Sequence, residues 1–436
     1  MAANPLLITD TNVAGVLKNV YAQYRVNAFP LLTPLLANIK KGQAGGPQNL
    51  RFGGNGVYWD VVLTRPVGAT ASQLGNLPPQ QTAIEVQANL GIKRTYVRRQ
   101  VDALAIQATE SREAAFIPLA RKIMQEAVDA GRLMQQEVLH GDGLGRRALV
   151  SSVTNSTTIV VNAPYGLASS GQGGLLLDAN MFIAVKDTTG ATLRGKSFIT
   201  SATNSGDNCT LVLATAITGM VATDIVVAAT NADDAYNQYP NGLINTTNRG
   251  NSYASFQNIT NATYARWDTT RMTAGTDTND ATQPSEMDVW ELATRIMGKS
   301  GKNAKVNPSE FLLLTTPGIE RKLAESFLGQ RRFDAASFME IKGGFKAVNI
   351  CGIPLVADFW CPAGTVYLVH LPTLTWVDLL DWTKLQYEGS GPWRFVADQD
   401  AYEINFGAYW NFGCLQRNTH GSIVSYTDTN RYSFVM

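Results

Sequence analysis

At 436 residues the chain is longer than one hydrophobic core organises, and its 45% apolar content is enough to build two or three. Charged residues are only 16%, against about 25% in an ordinary soluble domain. The two signs nearly cancel to a net charge of +1, which excludes tight nucleic-acid binding through overall electrostatics.

Few charges also mean weak repulsion between copies, which suits a surface that is buried against neighbours. Cys209, Cys351, Cys361 and Cys414 lie far apart without a C-x-x-C spacing, so they read as reduced core thiols and not as a disulfide framework. Met1 to Asp10 lacks the basic and then apolar pattern of a secretory signal. No run approaches the ~18 apolar residues of a spanning helix, so cytoplasmic synthesis and no membrane contact are expected.

In chain order, residues 1–50 carry helical fragments such as Val13 to Val26, interrupted by Pro30 and Pro34, and read as an extended arm. Val57, Trp59, Val61 and Leu63 alternate, and the period of two returns at Ile84, Val86, Ala88, Leu90 and Ile92. Two strands therefore flank the turn-rich stretch Pro66 to Gln81. So long a hairpin makes a poor core by itself and requires another surface, in its own chain or in a neighbour. Phe116, Ala120, Ile123, Ala127, Ala130, Met134 and Val138 form one stripe of a long helix between Thr109 and His140, with its regular part starting or bending near Pro118. Gly141-Asp-Gly-Leu-Gly145 ends it.

From 148 to 230 short strands alternate with turns, at Thr157 to Val161, Met181 to Lys186, Lys196 to Thr200, Thr210 to Leu213 and Asp224 to Ala228. Ser152-Val-Thr-Asn-Ser156 and Ser201-Ala-Thr-Asn-Ser205 echo one another, as repeated hairpins of a small closed β-domain would. Asn241 to Asp280 reads as low-complexity polar chain. Ser285 and Asp288 have capping-box form ahead of a helix with Met287, Trp290, Ala293 and Met297 on its apolar side. Thr316 caps a second helix carrying Ile319, Leu323 and Phe327, and strands follow at Phe345 to Ile350, Pro354 to Ala357, Thr365 to His370 and Tyr402 to Trp410.

Reactive chemistry is sparse. There is no HExxH, nucleophile elbow or Walker loop, and His140, His370 and His420 are scattered. The glycines of 141–145 follow a helix, whereas a dinucleotide fingerprint needs strand, turn and helix. Asp277, Asp280, Asp378 and Asp381 read as turn or surface residues. The short basic groups Lys93-Arg94, Arg98-Arg99, Arg146-Arg147 and Arg331-Arg332 fit ion pairs between subunits better than a nucleic-acid groove. No catalytic residue, cofactor or metal ligand is assigned.

The order of these segments, with Gly352-Ile-Pro-Leu-Val-Ala-Asp358, Tyr402-Glu-Ile-Asn-Phe-Gly-Ala-Tyr-Trp410 and Leu415 to Val424, resembles the major capsid proteins of tailed double-stranded-DNA bacteriophages, the shell fold named after phage Hong Kong 97. The resemblance covers the chain outside 148–230. It implies an α+β fold with an amino-terminal arm (1–50), an extended hairpin loop (51–100), a peripheral domain with a long spine helix (101–147, 342–375, 400–436) and an axial domain (236–341, 376–399). An all-β domain (148–235) is inserted.

The implied function is self-assembly, as hexamers and pentamers, into the icosahedral head around the genome, with no enzymatic activity and a virion location. Implied partners are copies of the chain itself, a portal, a scaffolding protein and a decoration or cement protein, with weak non-specific contact to packaged DNA. Trp59, Val61, Val86, Arg94, Arg98 and Arg99 are the expected inter-subunit contacts. Some members staple their shells with a Lys–Asn isopeptide bond. Lys93 and Asn418 are the pair to consider here, but nothing supplies the carboxylate, and no cross-link is expected. Two alternatives stay open, a nanocompartment shell protein and a carbohydrate-binding adhesin.

Overall fold

The computed structural model describes residues 34–39, 41–42, 52–53, 56–65, 82–104, 119–167, 172–230, 232–248, 254–278, 283–304, 306–328, 338–341, 345–385, 393–396 and 400–428. Most of the expected arm, the 66–81 turn region, Phe116, Pro118, Asp280 and Arg331-Arg332 lie outside them. The chain divides into two compact units. One holds the described residues of Val97–Gly131 and Lys384–Phe406; the other holds those of Leu31–Tyr96, Arg132–Thr383 and Gly407–Met436.

The α-helices given in full by the described residues are α1 (Pro34–Asn38), α2 (Leu119–Leu139), α3 (Leu243–Thr246), α4 (Glu286–Ser300) and α5 (Pro317–Leu328). Strands longer than two residues begin with β1 (Gly56–Val62), β2 (Glu85–Gly91) and β3 (Lys93–Asp102). Next come β4 (Arg146–Asn155), β5 (Thr158–Asn162), β6 (Phe182–Lys186), β7 (Leu193–Ser205), β8 (Asn208–Leu213) and β9 (Ile225–Ala228). The later ones are β10 (Thr270–Thr273), β11 (Phe311–Thr315), β12 (Phe338–Ile341), β13 (Phe345–Ile350), β14 (Ile353–Ala357), β15 (Val366–His370), β16 (Leu374–Lys384), β17 (Trp393–Phe395), β18 (Ala401–Cys414) and β19 (Gly421–Val424).

Strands β4 to β9 close into a six-stranded barrel in the order β8-β5-β4-β9-β6-β7. Its interior is filled by alternating side chains, among them Val150, Ile159, Val161, Ile183, Val185, Ile199, Leu211 and Val226. Closure pairs every strand on both sides and leaves no edge for unwanted strand addition. The echo at 152–156 and 201–205 falls on strand ends that run into the β4–β5 and β7–β8 hairpins. The sequence reading missed β4 itself, because beyond Val150 its residues are exposed, polar except for Val153, and carry no period.

A seven-stranded sheet, β10-β19-β15-β11-β14-β13-β12, forms the second core, with β10–β19 and β11–β14 parallel. Helix α4 packs on it through Val289, Leu292, Ala293 and Ile296, and α5 through Ile319 and Leu323. This corrects the expected face of α4: Met287 is 67% exposed and Trp290 40% exposed. The i, i+3, i+4, i+7 stripe from Val289 is the one that closes the core. The cap is as read. Ser285 Oγ accepts from Asp288 N and Asp288 Oδ2 accepts from Ser285 N, both at 3.2 Å.

Helix α2, 21 residues and about 30 Å long, starts directly after Pro118. Its last turns join a third core built on Trp376, Trp410, Phe412, Tyr367 and Leu139, in which the rings of Trp376 and Trp410 stack at 4.4 Å. In the other unit, β17 pairs with β18 from Trp393↔Ile404 to Phe395↔Tyr402, and Ala103 N donates to Asp400 O.

The described residues of the supposed low-complexity stretch after Asn241 carry buried anchors and turns of their own. Leu243, Ile244, Phe256, Ile259 and Trp267 are buried anchors. Its threonines satisfy backbone groups: Thr247 Oγ1 donates to Leu243 O at 2.6 Å and Thr269 Oγ1 to Thr247 O at 2.8 Å. Widely spaced anchors leave no helical or strand period, so composition alone misreads them.

Candidate functional site

The hairpin β1–β2 runs in register from Gly56↔Gly91 to Val62↔Glu85. Val57, Leu63, Ala88 and Leu90 are buried, while Tyr58, Val62 and Ile84 are 42%, 57% and 47% exposed. The inner face lies in a cradle of its own chain. Trp59, Val61 and Val86 pack half-buried on Ile259, Tyr264 and Trp267, and Val57 and Leu90 meet Val377. Asn89 N donates to Gln257 O at 3.1 Å. The structure thus brings the three expected apolar residues onto one face, and Tyr58 and Val62 lie exposed on the opposite one.

Arg417 holds the cradle down. It is fully buried; its Nε donates to Thr246 O at 3.1 Å, one terminal nitrogen to Asn261 Oδ1 at 2.8 Å and the other to Asn245 O at 2.8 Å. The guanidinium also lies 4.7 Å from the centre of the Phe256 ring and 3.4 Å from Asp268. One planar cation therefore fixes α3, the Ser255–Thr260 turn and the approach to β19 at once, which a lysine cannot do. Nothing in the local sequence distinguishes Arg417 from a surface arginine.

Of the expected basic contacts, Arg94 sits 5.9 Å over the Tyr409 ring, Arg98 Nε donates to Glu403 Oε2 at 2.8 Å, and Arg99 is exposed. Reversing the charge at all three should change assembly yield by no more than about 1 kcal/mol per contact, and the effect should fade in high salt. A yield loss that persists at 1 M NaCl, roughly a 3 Å screening length, would contradict this. Arg146 and Arg147 do not match the expectation of pairing between subunits: they pair inside the chain with Asp142 at 2.6 Å and Glu137 at 3.0 Å.

The search for reactive groups stays thin. Among the described residues no group of three or more His, Cys, Asp or Glu is placed to hold a metal ion, and no helix is long and apolar enough to cross a membrane. Cys209, Cys361 and Cys414 are buried thiols outside any disulfide, and Cys351 is half-buried with Sγ 3.3 Å from Glu286 Oε1. Asp277 closes a turn on Thr273 N and pairs with Arg295. Lys93 Nζ donates to Asn237 O at 2.8 Å, and Asn418 Nδ2 to Arg266 O at 2.9 Å.

The histidines are buried. His140 lies 3.1 Å from Asp358, and His370 and His420 share Thr373, with His420 Nδ1 accepting from His370 N at 3.2 Å. Burial, then the neighbouring His370 and Arg417, push His420 down to about 3. Its unfolded form binds a proton below about 6.5 while the folded form resists one. Stability from this group is therefore complete above that pH and is lost as pH falls from 6.5 towards 3, by up to about 1.4 kcal/mol per pH unit. In His420→Gln that part of the slope should vanish from a plot of melting temperature against pH; an unchanged slope would contradict the assignment.

No family model and no curated protein matches the sequence. Solved structures do match. The chain is 15% identical to the capsid subunit of cyanophage A-1(L), covering 96% of this chain and 100% of that one at a TM-score of 0.53. It is 9% identical to the SrpI encapsulin of Synechococcus elongatus, over 97% and 98% at 0.47, and 11% identical to a Mycobacterium phage Bobi chain, over 96% and 98% at 0.44. The capsid likeness covers both chains nearly end to end, and with the hairpin, the spine helix and the late sheet in the expected order it establishes the fold: α+β, of the Hong Kong 97 shell type.

Proposed function

We propose that this chain is the major capsid protein of a tailed double-stranded-DNA phage, assembling as hexamers and pentamers into the head, and that it acts by self-association without catalysis. The observation that carries the reading is the near-complete mutual coverage with a phage capsid subunit. The exposed face of β1–β2 supports it, because Tyr58 and Val62 present apolar surface on the side turned away from the cradle.

In this reading residues 1–50 are the arm and 51–100 the extended loop. Residues 101–147, 342–375 and 400–436 form the peripheral domain, and 236–341 with 376–399 the axial domain. Portal and scaffolding proteins, a decoration or cement protein and weak DNA contact complete the partners, and the virion is the location. Trp59, Val61, Val86, Arg94, Arg98 and Arg99 remain the proposed inter-subunit set, joined by the outer-face residues. Mass photometry and gradient sedimentation of the expressed chain, alone and with its neighbouring gene products, should give closed or sheet-like polymers built from rings of more than one size. Monomer under every condition would end the proposal.

A further inference from the structure

We infer that the inserted barrel is an intramolecular brace that locks the carboxy-terminal turns of α2, so that barrel and spine helix open as one cooperative unit instead of the insert being a loosely appended recognition module. Three separate crossings carry this.

The first is the entry. Arg146 Nε donates to Asp142 Oδ2 at 2.6 Å, in the turn that leaves α2. Arg147 donates to Glu137 Oε2 on α2 at 3.0 Å, to Leu176 O at 2.8 Å and to Tyr239 Oη at 3.4 Å. The Arg147 and Glu137 side chains are only 12% and 9% exposed. A single guanidinium so enclosed joins the helix, an internal loop of the insert and its exit, and losing one partner strands the other charge out of water.

The second is the loop between β5 and β6. Tyr165, Leu167, Leu175 and Leu176 are buried with Ile244 and Trp360, half-buried Leu133 of α2 packs against them, and Tyr165 Oη donates to Trp360 O at 2.9 Å. Ala163 and Tyr165 have φ of 50° and 59°, a backbone region unfavourable for residues with a Cβ and maintained here by the packing around them.

The exit is the third. Asn237 N donates to Leu144 O at 2.9 Å, Tyr236 covers Ala184, Ile225 and Val227 on the barrel's outer side, and Lys93 at the hairpin root donates to Asn237 O. Gly145 has φ 74° and a Cβ there would lie 2.5 Å from the Tyr239 ring, so the entry and exit chains touch. A domain on a solvated linker has few such crossings.

The test is hydrogen exchange on the unassembled full-length chain, and its outcome does not depend on whether shells form. In the unaltered protein, amides of Arg132–Leu139 and of β4 should lose protection in one shared opening. In Tyr165→Ala/Leu176→Ala, exchange at 132–140 and at Trp360 should accelerate at least ~10-fold, while β5, β7 and β8 keep their rates. Tyr165→Phe removes only the bond to Trp360, should fold, and should give a smaller acceleration at the same amides. Separate openings of α2 and the barrel in the unaltered protein, or unchanged exchange at 132–140 in both variants, would overturn the brace and return the insert to an appended module.

Discussion

Replacing Arg417 with methionine is expected to destabilise the folded chain by about 3–5 kcal/mol, the range for breaking a buried ionic group away from its partners. The side chain is fully enclosed and satisfies the carbonyls of Asn245 and Thr246 and the amide oxygen of Asn261. Methionine fills much of the volume but donates to none of these acceptors, of which Asn245 O keeps Asn248 N, and each buried group left unpaired costs about 1–3 kcal/mol. Against a total stability of roughly 5–15 kcal/mol the loss is severe. The urea midpoint should fall with little change in slope, and Arg417→Lys should recover only part of it, since a point charge cannot reach all three acceptors. A midpoint shift worth less than about 1 kcal/mol would mean that the guanidinium is not the fastening of the 243–268 segment.

The second large effect concerns the hairpin, and its two faces should behave differently. Changing Tyr58 and Val62 together to Ser should leave the monomer folded, because both are exposed, and should cut particle yield more than tenfold. Each such side chain, if fully buried by a neighbour, contributes roughly 1.5–3 kcal/mol, and a shell repeats the contact in every copy. Changing Trp59, Val61 and Val86 to Ser should lower yield too, but with a loss of monomer stability, since these residues rest on Ile259, Tyr264 and Trp267. Circular dichroism of the unassembled chain beside gradient sedimentation separates the cases. Normal particle yield from the outer-face variant would remove that face from the assembly surface.

The period-two alternation of Val57 to Leu63 and Ile84 to Ile92 made the hairpin legible, because strands with one buried face write their register into the sequence. The Ser285/Asp288 cap was legible for the same local reason. The face of α4 was not, since Met287 and Trp290 are apolar yet point outward, and composition cannot say which of two stripes meets a sheet. The cradle was hidden more deeply. Its anchors Phe256, Ile259 and Trp267 sit among Asn and Thr, and its fastening comes from Arg417, about 150 residues downstream. Nor does the sequence show how firmly the insert is held. The buried contacts of Tyr165 and Leu176 with Trp360 and Leu133 argue against a clean excision. Long-range pairings of this kind leave no trace in local periodicity.

Electron microscopy of the full-length chain, expressed alone and with its neighbouring gene products, tests the central claim most directly. The account predicts closed shells tiled by hexamers and pentamers, with the outer face of β1–β2 lying against an adjacent subunit. Particles with that face in solvent, or no polymer at all under any co-expression, would contradict it.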